Sequence, residues 1–216
     1  MANRADLLAL LEHSVKRAAS GELSLGDVVT DLKDASFCFV GILVCLPFLV
    51  PLPVLGPLTI PGGLAIAALG WQMLRGASEI RLPKRFAAIR LGESAWRGLL
   101  KACQKVLSIC DRFAKPRLQH WVDGARGEWI AGAFVCLGGV LLAIPMGGVV
   151  PFNNTLPALS AICACVALLE RDGLWFVFAG FWLIATLIYF ALVAYLVIYF
   201  GVEFKAWLAL HMPSWL

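Results

Sequence analysis

Charge is scarce in this sequence. Asp, Glu, Lys and Arg make up 15% of 216 residues, against roughly 25% in soluble domains. Histidine is scarcer still: His13, His120 and His211 stand far apart and outside the most apolar stretches. Three isolated histidines do not assemble a catalytic zinc site, which takes three protein ligands. HExxH, GxSxG, a Walker P-loop and a strand-borne GxGxxG are all missing, so metalloprotease, serine-hydrolase and nucleotide chemistry have no signature here. The seven cysteines lack zinc spacing. Cys38, Cys45, Cys136, Cys163 and Cys165 fall inside apolar segments, and Cys103 and Cys110 share one helical face. They read as small buried hydrophobes rather than a disulfide framework. No catalytic residue, no metal and no cofactor is expected, and the chain reads as a non-enzyme.

What the sequence has in place of charge is apolar surface. Hydrophobic residues reach 61% and mean hydropathy is +0.84. A soluble core of this size could not hide so much apolar side chain, so an all-α integral membrane protein is expected, one membrane domain over residues 1–216. The opening MANRADLLALLEHSV reads as an amphipathic helix rather than a signal peptide, because it has no short apolar core before a small-residue site.

The rest of the chain is organised around Leu46–Arg75, apolar almost throughout yet broken by Pro47, Pro51, Pro53, Pro57 and Pro61. Proline removes a donor and clashes with the preceding turn, so no straight helix passes through. Irregular backbone at membrane depth survives only within protein or beside water. The pattern occurs twice. Pro47 and Pro53 return as Pro145 and Pro151, shifted by 98; Thr59, Pro61 and Arg75 return as Thr155, Pro157 and Arg171, shifted by 96. An internal duplication is expected: repeat one about 1–96 with a hairpin at 35–75, repeat two about 97–216 with a hairpin at 128–171. Ala35–Val50 reaches roughly 24 Å as helix, short of the ~30 Å hydrocarbon layer. Two short limbs joined by a proline-rich turn predict a re-entrant hairpin, with two short tilted spans as the alternative. Both Pro61 and Pro157 are expected in the first turn of a helix.

Around these hairpins lie amphipathic segments at 5–19, 24–32 and 96–113. Residues 75–128 carry twelve Lys or Arg against five Asp or Glu, which favours the cytoplasmic side. Nothing aromatic is arranged there to stack bases, so no nucleic acid partner is expected; the bilayer is. Leu174–Phe200 contains no charge and is the surest transmembrane helix, with Trp175, Tyr195 and Tyr199 as interfacial anchors. Residues 203–216 read as a short interfacial tail.

The turns hold the candidate site. Broken helices leave free amides and carbonyls aimed at an ion or small polar ligand. Thr59, Asn153, Asn154 and Thr155 add neutral hydrogen-bonding groups, with helix capping as the structural alternative. Gln72 and Arg75 end one limb; Glu170, Arg171 and Asp172 end the other. Each arginine either anchors a helix C-terminus or pairs with a carboxylate such as Glu170 or Asp172 across the repeats.

Pro47 through Pro61 with Gln72 and Arg75, then Pro151-Phe152-Asn153-Asn154-Thr155-Leu156-Pro157-Ala158 and Arg171-Asp172-Gly173, resemble the ExoD-type exopolysaccharide-synthesis proteins over nearly the whole chain. Leu82-Pro83-Lys84-Arg85 departs from the tryptophan-containing break expected at that point. The resemblance implies a multi-pass protein of the bacterial inner membrane, inverted repeats, a homodimer, and a role in exopolysaccharide production; it implies no reaction. Two functions follow as expectations. One is a small transporter or channel for an ion or solute, with opposed hairpins meeting near the midplane and Asn154, Thr155, Gln72 and an arginine facing a cavity. The other is a non-catalytic scaffold in a polysaccharide-synthesis or export complex. An enzyme on a lipid-linked sugar fits least.

Overall fold

A computed structural model describes residues 37–49, 56–77, 80–81, 94, 97–98, 101, 105, 115, 117–145 and 152–211, with backbone alone at 56–57 and 202–211. Among them the fold is helical, without strands. Helix α1 is Phe37–Cys45 and runs on as a 3-10 turn, Leu46–Leu49; α2 is Gly56–Leu74. A 3-10 turn at Gln119–Trp121 precedes α3, Gly124–Leu142; α4 is Thr155–Leu169 and α5 is Leu174–His211. The amphipathic segments at 5–19 and 24–32, and turn prolines Pro51, Pro53 and Pro151, lie outside the described residues, as does most of 96–113. Lys101 and Lys105 are helical and exposed, on the face their charge requires.

Helix α1 is apolar all round and buried from Cys38 to Cys45, so it forms the centre of the bundle. Phe39, Ile42 and Leu43 meet Ile66 and Leu69 of α2 and Leu142 of α3 in one core. Helices α2 and α3 lie antiparallel with their backbones in contact. Gly63 faces Gly139 and Ala143, and Gly70 faces Gly132 and Cys136. A Cβ at Gly70 would overlap the Cys136 backbone, and one at Gly139 would overlap Ala67. Small residues let helices approach this closely when water supplies no driving force. Helix α4 runs back along α1, where Gly41 meets the Cys165 sulfur. Helix α5 then packs on α4, and the buried Ser160 hydroxyl donates to the Ala179 carbonyl at 2.9 Å.

These contacts give both hairpins the same direction. Helices α1 and α3 run toward the two turns, α2 and α4 run away, and both turns sit at one end of the bundle. Opposed hairpins meeting tip to tip do not describe this packing. The small-residue faces of α2 and α3 pair along their length, and opposed hairpins would leave them unpaired. Three boundaries also differ from the sequence reading. Helix α2 begins at Gly56, so Pro61 lies inside it rather than in its first turn; Pro157 does lie in the first turn of α4. Helix α3 begins at Gly124 rather than Glu128. Helix α5 continues to His211, because no proline or glycine pair interrupts 201–211.

The bundle covers α5 along only part of its length. Phe176, Ala179, Thr186 and Phe190 are buried, a stripe at helical spacing. From Ala194 to Gly201 every residue is exposed. Among the described residues, two helices are long and apolar enough to cross a membrane, Gly124–Leu142 and Leu174–Gly201.

Candidate functional site

The site residues fall into two groups at opposite ends of the bundle. At the turn end, Thr59 is buried near the start of α2. Asn154 directly precedes α4, and its side-chain amide donates to the Thr59 hydroxyl at 3.2 Å. Next to it, the Thr155 hydroxyl donates to the Leu49 carbonyl at 3.3 Å, a group that the broken end of the 3-10 turn leaves open. The second turn thus satisfies part of the first turn's backbone. The α4 start is otherwise well satisfied. Leu156 N–H donates to Phe152 and Ala158 N–H to Asn154, and Pro157 has no N–H to satisfy. The Asn154 Oδ1 atom is buried without a hydrogen-bond partner among the described residues. Asn153 is half-buried, Phe152 is exposed, and Phe152 holds a left-handed backbone at φ 60°. Pro47 and Pro145 flank the node and are exposed.

The charged end lies roughly 20 Å away, since Thr59 and Gln72 are more than three turns apart on one helix. Gln72 does not face the node. Its amide donates to the Arg81 carbonyl at 2.7 Å, its carbonyl accepts from Arg81 N–H at 2.7 Å, and the same amide donates to Ala68. Gln72 clamps the chain leaving α2. Arg75 stacks over Trp71, 4.8 Å from the ring centroid. Helix α2 closes with Gly76 at φ +63°, its N–H on Met73 and Ala77 N–H on Gln72, a Schellman ending. Helix α4 closes the same way, with Asp172 N–H on Ala167, but Arg171 takes the left-handed position at φ 53°. Arg75 and Arg171, matched in sequence, therefore occupy different cap positions.

Arg171 pairs with Asp123 at 3.5 Å, and both side chains are largely exposed. Arg171 does not take the expected Asp172, because Asp172 turns inward. Asp172 is buried; its carboxylate accepts from Lys115 N–H at 3.1 Å and Leu174 N–H at 3.0 Å. With Gly173 N–H on the Arg117 carbonyl, it ties the start of α5 to the segment before α3. Glu170 is half-buried at the α4 C-cap. Sequence reasoning missed Asp123; the Asp-Gly step opening α3 was its available signal.

The family model for exopolysaccharide synthesis, ExoD, matches residues 7–192. The chain belongs to the ExoD family. An ExoD protein of Rhizobium meliloti is 29% identical over 80% of this chain and 71% of its own length. An uncharacterised protein of Synechocystis is 26% identical over 76% of each. No solved structure matches. The ExoD match contains both turns and both charged helix ends, and it stops two residues past Phe190, close to where α5 leaves the bundle.

Proposed function

We propose that this chain is a protein of the bacterial inner membrane, crossing it through α5, that serves exopolysaccharide synthesis by passing a small ion or solute, with the Asn154–Thr59 node as its constriction. The observation that carries this reading is the depth of the node. Ser160 is level with Ala179 through their hydrogen bond. Thr155 is about 7 Å further toward the turns, which brings it level with about Ile184, near the middle of the apolar span Leu174–Gly201. Trp71, Trp121, Trp129 and Trp175 all stand at the charged end, as interfacial aromatics do; Tyr195 and Tyr199 stand near the far end of the α5 span. On this reading both hairpins are re-entrant from the charged side and end in mid-membrane. The exposed Phe152, Leu58 and Ile60 at the tips suit hydrocarbon. A polar pair at that depth is a functional rather than a packing choice.

The hairpins then act as two copies of one unit related by rotation about the bundle axis, since α2 on α3 and α1 on α4 become one contact made twice. On this reading the packed core of Ile42, Ile66, Leu69 and Val166 is what holds the path shut. Proteoliposomes with trapped proton- and sodium-sensitive dyes test it. Flux through the native chain should be lost in Asn154→Ala and Thr59→Val. Absence of flux in the native chain, or flux unchanged by both variants, ends the transport reading.

The scaffold reading has its own support in the exposed outer half of α5, an apolar face suited to a partner subunit or a second copy. Loss of exopolysaccharide on polar substitution of Val197 and Ile198, with flux intact, would favour it.

A further inference from the structure

A cavity of roughly 530 Å³ opens at the charged end among α1, α2, α3 and α4, within the ~300–1,000 Å³ range of small-molecule sites. Phe37, Met73, Leu168 and Leu169 supply apolar walls, and Glu128 and Arg171 bring one charge of each sign. Gly76 and Arg171 both line it, and both hold the left-handed position that ends a helix. At that position glycine is the undemanding residue. Arginine there accepts backbone strain and delivers a guanidinium to the cavity. Asp123 sits 3.5 Å from that guanidinium, and the two side chains keep 75% and 56% of their surface exposed, so the cation stays accessible from outside. Trp71 and Trp129, both exposed, stand at the same end.

We infer that this cavity binds an aminophospholipid, with an acyl chain along the apolar walls, the phosphate on Arg171 and the primary ammonium on Glu128. A two-sign rim over an apolar pocket fits a zwitterion carrying a hydrocarbon tail. A planar guanidinium takes phosphate through paired N–H donors, and a carboxylate accepts N–H bonds from a primary ammonium but not from a quaternary one. The inference rests on the membrane placement proposed above and is independent of transport.

Phosphatidylethanolamine with a diazirine on its acyl chain, added to the purified full chain in neutral detergent, tests this. Labelling should map to peptides holding Phe37, Met73 and Leu168. Unlabelled phosphatidylethanolamine should compete at least fivefold better than phosphatidylglycerol or phosphatidylcholine. Glu128→Gln and Arg171→Gly should each cut that labelling severalfold, and Arg171→Lys should restore part of it. Arg171→Gly suits the backbone, so an unchanged or raised melting temperature separates lost binding from lost fold. Labelling confined to the outer face of α5, or equal competition by phosphatidylglycerol, would each overturn the site. Flux that fails while labelling follows this pattern would remove the transport reading alone.

Discussion

The side-chain amide of Asn154, on the second hairpin, donates to the Thr59 hydroxyl of the first at 3.2 Å. Residues 95 positions apart in sequence thus join the two turns through their side chains. Interhelical hydrogen bonds in membranes average about 0.6 kcal/mol. A double-mutant cycle of Thr59→Val with Asn154→Ala, read by unfolding in mixed micelles, should give a coupling of about 0.5–1 kcal/mol. Independent effects of the two changes would show that the bond holds nothing.

The glycine seam between α2 and α3 has no room for a side chain. Gly70→Val and Gly139→Val should each lower stability by about 2–3 kcal/mol or prevent assembly, because overpacking forces backbones apart. Gly98→Val, on an exposed helical site with open space around it, is the matched control and should show no comparable loss. Unfolding midpoints by intrinsic tryptophan fluorescence measure both. A seam that accepts valine without loss would mean the helices are not in backbone contact.

Arg171 and Asp172 are neighbours with opposite expected responses. A left-handed backbone costs a non-glycine residue about 1–2 kcal/mol, and the Asp123 pair is too exposed to offset that. Arg171→Gly should therefore raise stability by about 1 kcal/mol. Asp172→Ala would leave Lys115 N–H and Leu174 N–H without their acceptor and should lower it by about 1–3 kcal/mol. Thermal unfolding of the two variants side by side reads both signs.

Depth is measurable directly. Phe152→Cys, at the tip, should resist a membrane-impermeant maleimide from either side, and a fluorophore there should be quenched by lipids spin-labelled near the chain terminus. Arg126→Cys, exposed near the start of α3, should label readily from one side. Ready labelling of position 152 by the impermeant reagent would put the turns in water and remove the re-entrant reading.

Much of this was legible from residue order. Apolar content gave the helical class, Gly173 marked the start of α5, and Pro157 marked the first turn of α4. Thr59, Asn154 and Thr155 stood out as polar groups in broken helices; Asn154 meets Thr59, and Thr155 meets the Leu49 carbonyl beside them. Gln72 and Arg75 looked like members of the same site because they lie in the same repeat, but helical rise carries them to the far end. Hairpin direction was illegible because it depends on which faces pair. That choice is made by Gly63 and Gly70 against Gly132 and Gly139, across a long connection. The Arg171–Asp123 pair was hidden for the same reason: turning Asp172 inward depends on Lys115 and Leu174 both presenting N–H groups to it.

The seam has a consequence for how the protein is made. Helix α2 finds its most intimate partner in α3, and the ribosome delivers Gly56–Leu74 well before Gly124–Leu142. For that interval the first hairpin carries a bare glycine face and a turn whose Leu49 carbonyl still lacks the Thr155 hydroxyl. Biogenesis must therefore hold an unfinished half-fold, and truncation of nascent chains before residue 142 should leave that half exposed to membrane proteolysis.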